Sequence, residues 1–249
     1  VRNFYVQFYT PISCSSRSHR IIQLDNGMLV LLISNPAEKV TSCALSVATG
    51  SHNDPKEILG LAHFCEHMIL SAGSKSYPDL NAYHNVISKN GGSQNAFTTG
   101  EQTTFCFELP NLSNSDELVF DKVLDIFSSS FKKPLFNELL VNKEIYAINS
   151  EHTANKSSRD KIFYHATRLL ANGDHPFSQF STGDITTLSD MLQLNKVDLR
   201  TEVMKYFKNN FYAENMCLCI KGPQSLNTLA KLVFSKFNDI KGLPTSRPL

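Results

Sequence analysis

The sequence predicts an α+β fold, a largely antiparallel sheet with helices packed against it. Three observations predict it. Strand-like runs that neighbour one another in sequence are joined by turns, helical stretches come in runs, and no glycine-rich phosphate loop marks a strand–helix alternation. The 249 residues suffice for one large domain with a substantial core, or for two small ones.

Taken in order, residues 20–24 (RIIQL) and 28–34 (MLVLLIS) flank Asp25-Asn26-Gly27. Asn-Gly tolerates the positive φ of a tight turn, so these runs read as a β-hairpin. Residues 40–48 (VTSCALSVA) read as a third strand. Asp54-Pro55 then leads into a helix over about Lys56–Ser71, closed by Gly73. A second helix follows Tyr77-Pro78-Asp79 and ends before Gly91-Gly92. Ser93–Thr98 and Thr103–Leu109 are extended segments around Gly100. Residues 116–131 form an amphipathic helix stopped by Pro134. A longer helical region covers about Asn137–Ala171, with a weak polar middle at Asn155–Ser158. Residues 198–210 read as helix, 215–221 as a buried strand, and 225–238 as helix. Residues 1–18 read as a lead-in, about 19–240 as the domain, and 241–249 as a linker.

Composition is globular, with 41% hydrophobic residues. The 24 basic and 23 acidic residues leave a net charge of +1, which gives no electrostatic reason to expect nucleic acid or an anionic membrane. The longest apolar run, Met28–Ile33, is strand-sized and no transmembrane segment is predicted. The chain opens on Val1 without a secretory apolar core and reads as part of a larger polypeptide. The six cysteines show no disulfide or zinc-ribbon spacing, so reduced thiols and a cytoplasmic location are expected. Cys217 and Cys219 alternate in a strand and are expected on one side of it, in the core.

The chemistry concentrates in residues 63–67, HFCEH. At about 100° per residue, His63, Glu66 and His67 share one face of a helix with Leu59, Gly60 and Leu70. Ile58, Leu61, Ala62, Cys65, Met68 and Ile69 make the opposite, apolar face. Histidines at i and i+4 can turn two imidazoles onto one ion, and the intervening glutamate can reach a water on that ion. Composition alone yields this spacing in about 1% of such chains. Gly60 on the histidine side permits close approach of another backbone or a ligand.

Catalytic zinc needs three protein ligands. His84, His152, His165 and His175 are candidates for the third, as are several carboxylates. The best local pattern is KEIYAINSEH, residues 143–152, where Glu144 and Glu151 stand two helical turns apart on one face. Spacing does not choose between them, nor exclude His152.

The blocks GLAHFCEHMI, GGSQNAFTTGEQTTF, NSEH and HPFSQFSTG occur in an order that resembles the insulinase (pitrilysin) metallopeptidases, whose inverted H-x-x-E-H motif is the inverzincin signature. The resemblance runs from about Ile21 to Asp239 and implies a processing-peptidase-like domain with one Zn²⁺. It implies His63 and His67 as ligands, Glu66 as general base, Glu151 as third ligand, and Glu144 as an acid supporting the histidines. Asn95-Ala96-Phe97 matches the edge strand that binds peptide substrate as an added strand. Cys65 is implied to be a core thiol, not a ligand. ANGDHPFSQFSTG and CIKGPQSLN resemble the fungal pheromone-processing branch more than the insulin-degrading one, so processing of the a-factor precursor is expected. Broad oligopeptide degradation, or an added scaffold role, is the alternative. Further domains of the same polypeptide are implied as partners, and this segment alone is expected to be inactive.

Overall fold

The computed structural model describes residues 2–4, 16–111 and 116–243. Its centre is a seven-stranded sheet. In chain order the strands are β1 (Arg2–Phe4), β2 (Ser18–Gln23), β3 (Leu29–Ser34), β4 (Val40–Val47), β5 (Ser93–Thr98), β6 (Thr103–Pro110) and β7 (Met216–Gly222). They lie in the order β1-β2-β3-β7-β4-β6-β5, and only β3 and β7 pair in parallel. The lead-in therefore contributes Arg2–Phe4 as one edge strand, and β5 forms the other edge.

The hairpin forms as expected. Gly27 takes φ +90°, and Asn26 donates from Nδ2 to the carbonyls of Phe237 and Ile240, tying the turn to the C-terminal helix. Strand β7, from the far end of the chain, fills the gap between β3 and β4. Its alternation sends Met216, Leu218 and Ile220 into the core. Cys217 and Cys219 do share a side, but it is the opposite one. Cys217 is exposed and Cys219 half-buried, so the expectation of core cysteines is corrected: the larger aliphatic residues take the inner face. Cys43, Cys65 and Cys106 are also free thiols, and Cys14 lies outside the described residues.

Eight helices are described: α1 (Leu61–Ser71), α2 (Ala82–Lys89), α3 (Asp116–Lys132), α4 (Glu138–Asn155), α5 (Arg159–Leu169), α6 (Met191–Leu194), α7 (Leu199–Asn210) and α8 (Leu226–Phe237). The long helical region does break at its polar middle, between α4 and α5. A π-helical turn at Thr186–Asp190, which runs into α6, had no sequence signal in our reading. Caps mark several starts: Asn137, Asp198 and Ser225 accept from the amides of Leu139, Thr201 and Thr228. With 17 phenylalanines and no tryptophan, the core is a phenylalanine lattice. Phe127 contacts Phe107, Phe131 and Phe237 at ring separations of 5.4, 5.0 and 6.5 Å.

Helix α1 carries HFCEH and begins at Leu61, five residues later than the sequence suggested. Gly60 sits at φ +95°, outside helical space. The Asp54 carboxylate reaches across the intervening turn to accept from Gly60 N and Ala62 N, both at 2.8 Å. This cap satisfies amides that a helix start leaves open. Asp54 is half-buried, and desolvation pushes its pKa up to about 7 against the pull of those amides. Leu61, Ala62, Phe64, Cys65, Met68 and Ile69 are buried, so the apolar side of α1 is the side read from sequence, with Phe64 added, while Ile58 is buried ahead of the helix.

Gly60 meets the backbone of Gly183. A Cβ on Gly60 would lie 2.3 Å from Gly183 Cα. Gly60→Ala therefore combines a clash with left-handed strain, and we expect it to lower stability by about 2 kcal/mol or more in denaturant unfolding. At Gly173 nothing lies within 4 Å of an added Cβ, and Gly173→Ala should stay within about 0.5 kcal/mol of the parent.

Candidate metal centre

Helix α1 presents His63, Glu66 and His67 to a cleft of about 1020 Å³, bounded by β5, α4, α5 and residues 180–184. The two imidazoles meet edge to face, with centroids 4.8 Å apart. Each ring is held from behind. His63 Nδ1 lies 2.8 Å from the Thr182 carbonyl oxygen, and His67 Nδ1 lies 3.0 Å from Glu144 Oε2. A carbonyl can only accept, so His63 Nδ1 must carry the proton. An ionised Glu144 imposes the same tautomer on His67. Both Nε2 atoms are then left with lone pairs for an ion.

Those lone pairs face Glu151. Its Oε2 lies 3.4 Å from His63 Nε2 and 3.9 Å from His67 Nε2. Tetrahedral zinc with bonds of about 2.0–2.1 Å separates its ligand atoms by about 3.3–3.4 Å. The His63–Glu151 pair matches that spacing and the His67–Glu151 pair, at 3.9 Å, lies somewhat beyond it. Among the described residues, the ligand atoms of His63, Glu66 and His67 also fall within 4.8 Å of one another, which makes Glu66 a geometric competitor for the third place. Two contacts separate the glutamates. Thr98 Oγ1 donates to Glu66 Oε2 at 2.6 Å, while Glu151 Oε2 stands against both Nε2 atoms.

The electrostatics differ in the same sense. Burial dominates at Glu66 and raises its pKa, opposed by His63, Thr98 and His67. When His63 carries a proton on both ring nitrogens, Nε2 donates to Glu151, and this contact dominates at Glu151 and lowers its pKa against desolvation. At His63 burial works against the charge, but Glu151, Glu66 and the Thr182 carbonyl outweigh it and the pKa is raised. The Cys65 thiol faces the core, and burial pushes its pKa far up.

The structure thus brings His63, Glu66, His67, Glu144 and Glu151 into one cluster. The other candidate histidines lie outside this cluster. His152 packs edge-on to Phe180, His84 contacts Gln94 and Ser88, and His175 Nδ1 accepts from Phe177 N. His165 lines the cleft wall. Asn95, Ala96 and Phe97 lie on the edge strand that forms the opposite wall, with Asn95 and Phe97 exposed. Sequence reasoning missed Thr98, Thr182 and Asp54. Thr98 had a signal, since period-two alternation puts it on the same face of SQNAFT as Ala96. Thr182 had none, because it acts through a main-chain carbonyl that any residue carries.

Helix α1 thus aims two supported imidazoles and a glutamate beneath the free edge of a mainly antiparallel sheet. The chain belongs to the insulinase family (Peptidase family M16), whose profile matches residues 29–173. It is 62% identical to the Saccharomyces cerevisiae protein AXL1 over 97% of this chain and 20% of that one. It is 38% identical to the A-factor-processing enzyme of the same species over 100% of this chain and 23% of that protein. The human insulin-degrading enzyme is 38% identical over 90% of this chain and 21% of its own length. The crystal structure of pitrilysin superposes with a TM-score of 0.90 at 28% identity, covering 99% of this chain and 25% of that one. The chain thus spans about a fifth of the length of these sequence relatives.

Glu144 is buried, with one carboxylate oxygen on His67. Glu144→Gln keeps the shape and removes the charge that supports the ring. We expect apparent zinc affinity, measured by competition with a chelator, to fall by about 10-fold or more.

Proposed function

We propose that this domain is the zinc-binding half-site of an endopeptidase that processes a peptide precursor. The observation that carries the reading is the convergence of His63 Nε2 and His67 Nε2 on Glu151 Oε2, at 3.4 and 3.9 Å, with each Nδ1 already committed to an acceptor. In this reading His63, His67 and Glu151 hold Zn²⁺. Bound there, zinc supplies the Lewis acidity that polarises a peptide carbonyl and makes water nucleophilic near neutral pH. Glu66 accepts the proton of the attacking water and returns it to the leaving amine. Its burial favours taking that proton, and the Thr98 hydroxyl fixes the carboxylate. The edge strand β5, at Asn95–Phe97, takes the substrate backbone as an added strand across the cleft from Glu66.

The substrate we propose is a pheromone precursor of the a-factor type. Its support is the alignment of this chain, over its whole length, with a relative named for that processing. A broad oligopeptidase is the second reading, favoured by the 37–40% identity to insulin-degrading enzymes. Mass spectrometry of a peptide panel incubated with the intact polypeptide separates them. Cleavage at one or few bonds in the precursor alone supports the first, and many cuts in unrelated peptides support the second. No helix among the described residues is long and apolar enough to cross a membrane. We propose a cytoplasmic site of action, consistent with the free thiols.

Two expectations test the chemistry. In the intact polypeptide, Glu66→Gln should retain zinc and lose at least about 100-fold in peptide cleavage, whereas His67→Ala and Glu151→Ala should lose zinc. Equal zinc in all four proteins would overturn the site. The second concerns the segment itself, because the proposed active enzyme uses further domains to hold the peptide over β5. The purified 249-residue segment should therefore bind zinc and show no measurable peptidase activity. Cleavage that is abolished by a chelator and by Glu66→Gln would overturn that expectation.

A further inference from the structure

The HPFSQFSTG segment supplies none of the proposed ligands, yet it reaches the metal centre from behind. Thr182 accepts from His63 Nδ1, and Gly183, at φ +81°, lies against Gly60 at the start of α1. What holds this strap is Arg168, near the end of α5. The residue is only 6% exposed. Its Nε donates to the Phe177 carbonyl at 2.9 Å, Nη2 to the Gln179 carbonyl, and Nη1 to Ser181 Oγ. The rings of Tyr164 and Phe177 lie 5.5 and 5.4 Å from its guanidinium carbon. Three alternate strap residues are thus gripped by one planar fork, and the last of them precedes Thr182. On the other side, Ile185 N donates to Asn149 Oδ1 on α4. Burying a guanidinium is costly unless its donors are met. Here the strap meets three of the five, one on each nitrogen, so the cation and the strap fix each other.

We propose that Arg168 is a positioning residue for the metal centre. By holding residues 177–181 it places the Thr182 carbonyl that sets the orientation and tautomer of His63. The same grip places Ser181 and Phe180, which line the cleft wall, so it also shapes the substrate path. A lysine cannot replace it, because three donors on one nitrogen cannot span acceptors on three residues. The inference rests on the zinc reading above and can fail separately from it.

The test uses the intact polypeptide as wild type, Arg168→Lys, Arg168→Met, Ser181→Ala and His67→Ala. Zinc affinity is measured by chelator competition, the visible spectrum is recorded on cobalt-substituted protein, and the metal-free forms are melted. We expect both Arg168 variants to weaken zinc binding by about 10-fold or more and to shift the cobalt bands. Ser181→Ala should do the same to a smaller degree. Unchanged affinity and an unchanged cobalt spectrum in the Arg168 variants would overturn the inference. So would affinity losses that appear only in step with lost metal-free stability and leave the cobalt bands in place. If neither Arg168 variant folds, Ser181→Ala decides by the same criteria. Equal zinc in wild type and His67→Ala would instead remove the metal reading itself.

Discussion

Two imidazoles on one helix can aim at a common point only if each ring is fixed at its far nitrogen. The remainder of the site depends on that constraint. The Thr182 carbonyl holds His63 and the Glu144 carboxylate holds His67. One support is main chain from a loop and the other is a side chain from α4. Remove either and the ring is free to rotate and to exchange tautomers, so Nε2 no longer faces Glu151 in a defined way. The positions of α4 and of the 175–183 strap relative to α1 therefore set where the two Nε2 atoms point.

The fold meets that demand by anchoring α1 on every side. Its apolar face is immersed in the phenylalanine core, and its first turn is capped by the distant Asp54. The contact between Gly60 and Gly183 brings the strap so near to the helix start that no side chain fits between them. The two buried glutamates stay tolerable in this setting because each has a partner. Glu66 has Thr98 and Glu144 has His67, whereas Glu151 is exposed. A buried carboxylate without such a contact would cost several kcal/mol or take up a proton.

Legibility followed the range of the interaction. The β2–β3 hairpin, the stop of α3 at Pro134 and the break between α4 and α5 are local, and the sequence showed each. The polar stripe His63–Glu66–His67 was equally plain, since it needs only helical period. The start of α1 was placed too early because its cap comes from a side chain six residues before Gly60. Cys217 and Cys219 were put on the wrong face of β7, because alternation states that two residues share a side without stating which. The family resemblance named Glu151 where spacing alone left Glu144, Glu151 and His152 open. The geometry puts Glu151 against the ring nitrogens and Glu144 behind His67.

By itself the sequence determined the α+β class, the helix that carries HFCEH, and the pair of glutamates two turns apart that could meet it. Those properties reside in periodicity and in residue type, which a linear chain displays. Only the tertiary structure decided which glutamate faces the Nε2 atoms, that Thr98 grips Glu66, that the Thr182 carbonyl stands behind His63, and that Arg168 grips the strap beside it. These are contacts between segments far apart in the chain, several of them made by main-chain atoms common to all residues. No pattern of side chains encodes them until the sheet and helices have brought the segments together.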